Sequence, residues 1–245
     1  MNEDRRIAVV TGVLFIAATT ASLTGNSFTG PLLNAPDYLS RMSSNGDRII
    51  IGALLSFIAA ACSSSIAIAL YPILKRYGEG LALGAVGFRL IEGVFYIVNT
   101  ICLLTLLTVS QEFVQVGGQS ASQLQTIGHL LLAARDLAGF VFAVLAFCTG
   151  ALMYYVIFYR SKLIPRWLSV WGIIAILMLL SAVFITLFDG EPFSISGSLV
   201  GLALPIAVQE IVMAVWLIVK GFAPPAITAG STTARIGQIH ASSSS

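Results

Sequence analysis

Six runs of apolar residues alternate with more polar segments along the chain, at about 7–23, 49–72, 81–109, 127–159, 167–188 and 197–219. Crossing about 30 Å of hydrocarbon takes roughly 20 helical residues, so each run predicts one transmembrane helix. The third and fourth runs exceed that length and must tilt or project beyond the hydrocarbon. Arg135, Asp136 and Gly139 sit too centrally in 127–159 to leave room for two full crossings. The expected fold is an all-α polytopic membrane protein, a bundle of six transmembrane helices over residues 1–222. The connection 24–48 is rich in turn formers. Within it Ala35-Pro36-Asp37 predicts a short interfacial helix starting near Tyr38. Residues 223–245, with Pro224-Pro225 and a run of serines, lack periodicity and apolar bulk and predict a disordered cytoplasmic tail.

Composition supports a lipid environment. Hydrophobic residues make up 57% of the 245 and charged residues only 10%, with mean hydropathy +0.93, against about 25% charged in soluble domains. The bilayer is thus the one partner the composition demands. A net charge of +2 without a basic run excludes a nucleic-acid partner. Cys62, Cys102 and Cys148 all lie inside apolar runs. They read as small hydrophobes, not as a disulfide framework or a metal site.

The distribution of cations sets an orientation. With the N-terminus inside, cytoplasmic segments hold Arg5, Arg6, Lys75, Arg76, Arg160, Lys162, Arg166, Lys220 and Arg235, while outer segments hold only Arg41 and Arg48. This asymmetry predicts that both termini are cytoplasmic. Asp37, Asp47, Glu112, Asp189 and Glu191 fall on the outer side. Tyr154, Tyr155, Tyr159 and Trp167 read as an aromatic belt at the inner boundary. Arg5-Arg6, an apolar run and ATTAS also follow the order of a cleavable signal. A retained first helix is the preferred reading, because the apolar character continues through Leu23.

Gly80-xxx-Gly84, Gly197-xxx-Gly201 and the run AAACSSS at 59–65 predict close helix–helix approach. Pro205 removes a backbone donor inside the sixth helix and predicts a bend near Gly201.

Against this background, Arg89, Glu92, Arg135, Asp136 and Glu210 stand out. A charge at mid-bilayer costs about 2.5–3.5 kcal/mol on insertion scales, so these residues need partners, water or a role. At about 100° per residue, Arg89, Glu92, Tyr96 and Asn99 fall within roughly 80° of one helix face, which must point into the bundle. Arg89 and Glu92 can pair within the helix. Glu210 lies about 15 Å above the inner boundary and Arg89 at a similar depth, which favours an Arg89–Glu210 contact between helices. Arg135 and Asp136, adjacent in sequence, point about 100° apart and lie nearer the outer side. Asp136 shares a face with His129. Two arginines face three carboxyls, so one acid is left over: it is neutral, holds a cation or meets water.

Two readings of Arg89, Glu92, Asn99, Arg135, Asp136 and Glu210 follow. In one, the network is the site of a small transporter or ligand-binding membrane protein that handles a proton or a small molecule. In the other it locks the helices of a structural or regulatory protein. Catalysis is not indicated. There is no HExxH, no G-x-S-x-G and no credible Ser/His pair within a span. His129, the one histidine in a span, cannot support zinc or bis-histidine haem. No cofactor and no metal are expected.

The stretches ALYPILKRYGEGLALGAVGFRLIEGV, LLLAARD, YRSKLIPRWLSVWGIIA and LPIAVQEIVMAVWLIVKGF, in this order and spacing, resemble a family of bacterial multi-pass membrane proteins known only as a domain of unknown function, DUF4386. The resemblance runs from about residue 5 to 222. Its characteristic segments include Arg89, Glu92, Arg135, Asp136, Arg166 and Glu210. It implies a bacterial cytoplasmic (inner) membrane protein and no assigned activity, substrate or cofactor.

Overall fold

The computed structural model describes residues 2–116, 119–189 and 200–223. In order these form α1 (Glu3–Leu33), α2 (Tyr38–Ser44), α3 (Gly46–Leu74), α4 (Glu79–Phe113), α5 (Gln119–Asp136), a π-helical segment (Leu137–Phe142), α6 (Ala143–Ser161), α7 (Arg166–Asp189) and α8 (Val200–Val219). No strand occurs among the described residues. α5, the π segment and α6 form one column over Ser120–Ser161, so six helices are long and apolar enough to cross a membrane. Their outward faces are apolar too: Leu83, Val94, Ile101, Leu130, Leu177 and Leu204 are all exposed. Water would not tolerate so much continuous apolar surface, and lipid does.

Polar contacts gather four chain segments at one end of the bundle. Arg5 donates to the carbonyls of Leu217, at 3.1 Å, and Ile218 at the end of α8. Arg76, just after α3, holds Asp4 through two 3.0 Å bonds. The Ala223 N–H donates to the Leu163 carbonyl in the α6–α7 turn at 2.8 Å. The start of α1, the α3–α4 and α6–α7 turns and the end of α8 therefore share one basic end, as an even number of crossings requires.

Several local expectations change. Residues 24–33 continue α1 instead of opening a loop. Their small and polar residues build a helix contact: a Cβ on Gly25 would sit 3.2 Å from the Gly52 carbonyl of α3. Ser27 and Thr29 return their hydroxyls to the carbonyls of Thr24 and Gly25, at 2.7 and 3.2 Å. The short helix expected at Pro36 is α2. Its Leu39 and Met42 pack with Leu103 and Leu106 of α4, and Ser110 donates to the Leu39 carbonyl at 2.7 Å. The fourth crossing begins at Gln119 rather than near residue 127. Of the expected glycine contacts, Gly84 meets Met153, but Gly80 and Gly201 meet no neighbouring atom. Gly197, the segment 190–199 and the tail from Pro224 onward lie outside the described residues. A further close approach is at Gly12, where a Cβ would lie 2.7 Å from the Ala214 carbonyl of α8. The helix α8 continues through Pro205.

Two apolar cores result. One, nearer the basic end, joins Phe15, Ile66, Leu70, Tyr154, Phe158 and Met213. The other joins α2 to Ile49, Leu103 and Leu106. Along α4 the buried face passes from Ala82 and Ala85 in the first core to Leu103 in the second. Arg89, Glu92 and Asn99 occupy the interval.

Candidate functional site

Arg89 is the centre of the polar contacts in that interval, and only 1% of it is exposed; its Nε has no hydrogen-bond partner among the described residues. Its Nη1 donates to Glu92 at 2.9 Å and to Ser63 of α3 at 2.8 Å. Its Nη2 donates to the Tyr154 hydroxyl of α6 at 3.2 Å. The guanidinium also lies over the ring of Phe147, 4.5 Å from its centroid. Ser63 in turn donates to the other oxygen of Glu92 at 2.8 Å. Both Glu92 oxygens are thus engaged, and one Arg–carboxylate pair ties together α3, α4 and α6. Close approach assists: Ser64 donates to the Arg89 carbonyl at 3.1 Å.

Glu210 completes the group from α8, but loosely. Its carboxylate is 3.7 Å from Arg89 Nη2, and among the described residues it accepts no hydrogen bond. Of the acids in the spans, Glu92 is the counter-ion of Arg89 and Glu210 is the carboxyl left over. Its neighbour Gln209 turns the other way, accepting from the Tyr155 hydroxyl and donating to the Leu168 carbonyl at 3.1 Å.

Arg135 and Asp136 pair with each other at 2.6 Å, with Asp136 the more exposed partner. Asn99 reaches Arg135 through the backbone, donating Nδ2 to its carbonyl at 2.9 Å. That bond falls where the helix register changes from i→i+4 to i→i+5 at the π segment, a feature found disproportionately at functional sites. Gly139 permits it, since any Cβ there would collide with the Asn99 amide. Arg135 Nε is buried without a hydrogen-bond partner among the described residues.

A cavity of about 230 Å³ connects these groups. Arg89, Glu92, Tyr96 and Asn99 of α4, Arg135 and Gly139 of the fourth crossing, and Glu210 of α8 line it, with Ser63 from α3. Asp136 is not among its walls. The inner and outer charge groups expected as separate clusters therefore face one space. The face of α1 that α8 covers at Gly12 and Phe15 continues into the cavity as Thr19, Ser22 and Asn26. Ser22 and Leu23 at this rim are exposed, so the cavity opens along α1.

Other assignments shift. Tyr154 and Tyr155 are fully buried, not belt residues. Arg89 and Gln209 supply the polar partners that their hydroxyls would otherwise seek at the interface. Tyr159 and Trp167 are exposed, as a belt requires. His129 is exposed on α5 and lies beside the Tyr38 ring, 5.7 Å between centroids. Ser63, Phe147 and Tyr154 are site residues that sequence reasoning missed, and Gln209 braces Tyr155, which packs on Tyr154, behind them. For Ser63 the available signal was a serine run opposite a charged face, and for Gln209 it was a second polar residue beside Glu210. All three cysteines are free thiols. No cluster of three or more His, Cys, Asp or Glu side chains that could hold a metal occurs among the described residues.

A bundle of six membrane-length helices around a buried ionic cavity defines a polytopic membrane protein. Residues 10–221 match the family described as domain of unknown function (DUF4386), and the chain belongs to that family. No curated protein matches the chain, and no solved structure does.

Proposed function

We propose that the protein is a small transporter or ligand-binding protein of the bacterial cytoplasmic membrane, with its basic end inside, and that the cavity is its site. Glu210 is the exchangeable group, taking up a proton or a small cationic ligand. One observation carries this reading: a carboxylate without a hydrogen bond faces an open cavity, beside an arginine already neutralised by Glu92. Intramembrane acids so placed mark proton and ligand paths. Arg89, Glu92 and Ser63, backed by the Tyr154 hydroxyl, are the wall against which that exchange occurs, so the locking role falls to them. The reading is one of binding or transport, not catalysis.

Melting of the detergent-solubilised protein at pH 5 and pH 8 tests it. Wild type should melt at different temperatures at the two pH values. In Glu210→Gln, where the exchangeable proton is gone, the difference should shrink. An equal loss of Tm at both pH values would instead assign Glu210 to the lock and remove the transport reading.

A further inference from the structure

We propose that the basic end of the bundle carries a seat for the phosphate of an anionic phospholipid, separate from the ionic cavity. A depression of about 540 Å³ lies between the α6–α7 turn and the end of α8. Lys162, Arg166 and Lys220 stand on its walls, and no carboxylate does. None of the three forms an ion pair among the described residues. Of the other cations at this end, Arg5 donates to the carbonyls closing α8 and Arg76 holds Asp4, while Arg6, Lys75 and Arg160 lie off the walls of the depression. Lys162, Arg166 and Lys220 thus form a local surplus of positive charge with no carboxylate partner among the described residues.

The framework under these cations is fixed. Lys162 adopts a left-handed conformation, φ 58°, immediately after α6, and its N–H closes that helix on the Phe158 carbonyl at 3.0 Å. Arg166 extends over the Tyr159 ring, 5.3 Å from its centroid. Below the cations, Trp216 and Phe222 form an apolar floor packed on the core.

Charge, floor and depth select the ligand. Basic pockets between helices near the cytoplasmic face suit anionic headgroups. Tyr159 and the Trp167 beside Arg166 are exposed at this level, where aromatic side chains mark the headgroup boundary. A lipid can place its phosphate among the three cations and its glycerol and upper chains against Trp216 without leaving the membrane. Free phosphate shares the charge but has nothing to set against the apolar floor.

The test uses the full chain in neutral detergent, titrated separately with phosphatidylglycerol, phosphatidylcholine and inorganic phosphate. Retained lipid is counted by native mass spectrometry and Tm is followed in parallel. Phosphatidylglycerol should be retained and raise Tm, and phosphatidylcholine should do neither. Replacing Lys162, Arg166 and Lys220 together by Gln should weaken retention by about fivefold per cation. The charge-matched variant Arg6→Gln/Lys75→Gln/Arg160→Gln should leave it unchanged. The single exposed change Lys220→Gln, with about a fivefold loss expected, serves if the triple variant fails to fold. Equal weakening by both triple variants would reduce the effect to net charge, and an equal Tm rise with inorganic phosphate would make this a free-anion site. Either result overturns the proposal.

Discussion

Two acids share one arginine, and their surroundings give them different work. Glu92 accepts from Arg89 and Ser63 with both oxygens, whereas Glu210 stands 3.7 Å off without a hydrogen bond. Removing one partner of a buried ion pair strands the other charge, at a cost of about 3–5 kcal/mol. Glu92→Ala should therefore destabilise the bundle by that order. Glu210→Gln should cost about 1 kcal/mol or less, the scale of weak polar contacts within membrane proteins. Chemical unfolding in mixed detergent micelles measures both, and comparable losses would contradict the division of labour. These charges were legible from the chain because ionisable residues in apolar runs are costly and few, and because an i,i+3 pair on one helix is a local relation. Their supports were not. Ser63 sits in a run of small residues that reads as packing, and Tyr154-Tyr155 near a helix end reads as a belt. Only tertiary contacts turn them inward, Ser63 and Tyr154 toward Arg89 of α4 and Tyr155 toward Gln209 of α8.

At the scale of elements, helix number and rough extent follow from length and apolarity, and the structure preserves both. Local departures come from contacts between helices. Thr24 to Leu33 look like a loop because Gly25, Ser27 and Thr29 favour turns, yet the approach of Gly25 to Gly52 keeps them helical. The π segment has no comparable sequence signal, since its register is a choice among backbone hydrogen bonds. It matters here because it brings Gly139 under Asn99 and the Arg135 carbonyl within reach of the Asn99 amide. Gly139→Ala should force that amide away, costing about 1–3 kcal/mol as overpacking does. Asn99→Ala removes the same bond and the obstructing group together. The double variant should then lose clearly less than the sum of the singles, because the two residues share one contact. A double-mutant cycle by thermal unfolding reads this directly, and additive losses would separate the glycine from the Asn99 bond.

For the whole molecule, the contacts at one end make a topological statement stronger than any single helix does. Arg5 on α8, Asp4 on Arg76 and Ala223 on Leu163 gather the start of α1, two turns and the end of α8 on one side. Lys75, Arg160, Lys162, Arg166 and Lys220 belong to the same turns and helix ends. At the opposite end α2 carries Arg41 paired with Asp37 at 2.7 Å, so that end gains no net charge from the pair. Cations are retained on the cytoplasmic side of short connections. The gathered end should therefore face the cytoplasm and α2 the outside. Single cysteines in a background lacking Cys62, Cys102 and Cys148 decide the point. Exposed Ser40→Cys on α2 should react with a membrane-impermeant maleimide in intact cells. Lys75→Cys, exposed at the basic end, should react only after the membrane is opened. The reverse pattern would invert the bundle. It would also place the proposed lipid seat in the outer leaflet and turn the α1 rim of the ionic cavity toward the cytoplasmic half of the membrane. The same labelling thus fixes the direction from which a ligand reaches Glu210.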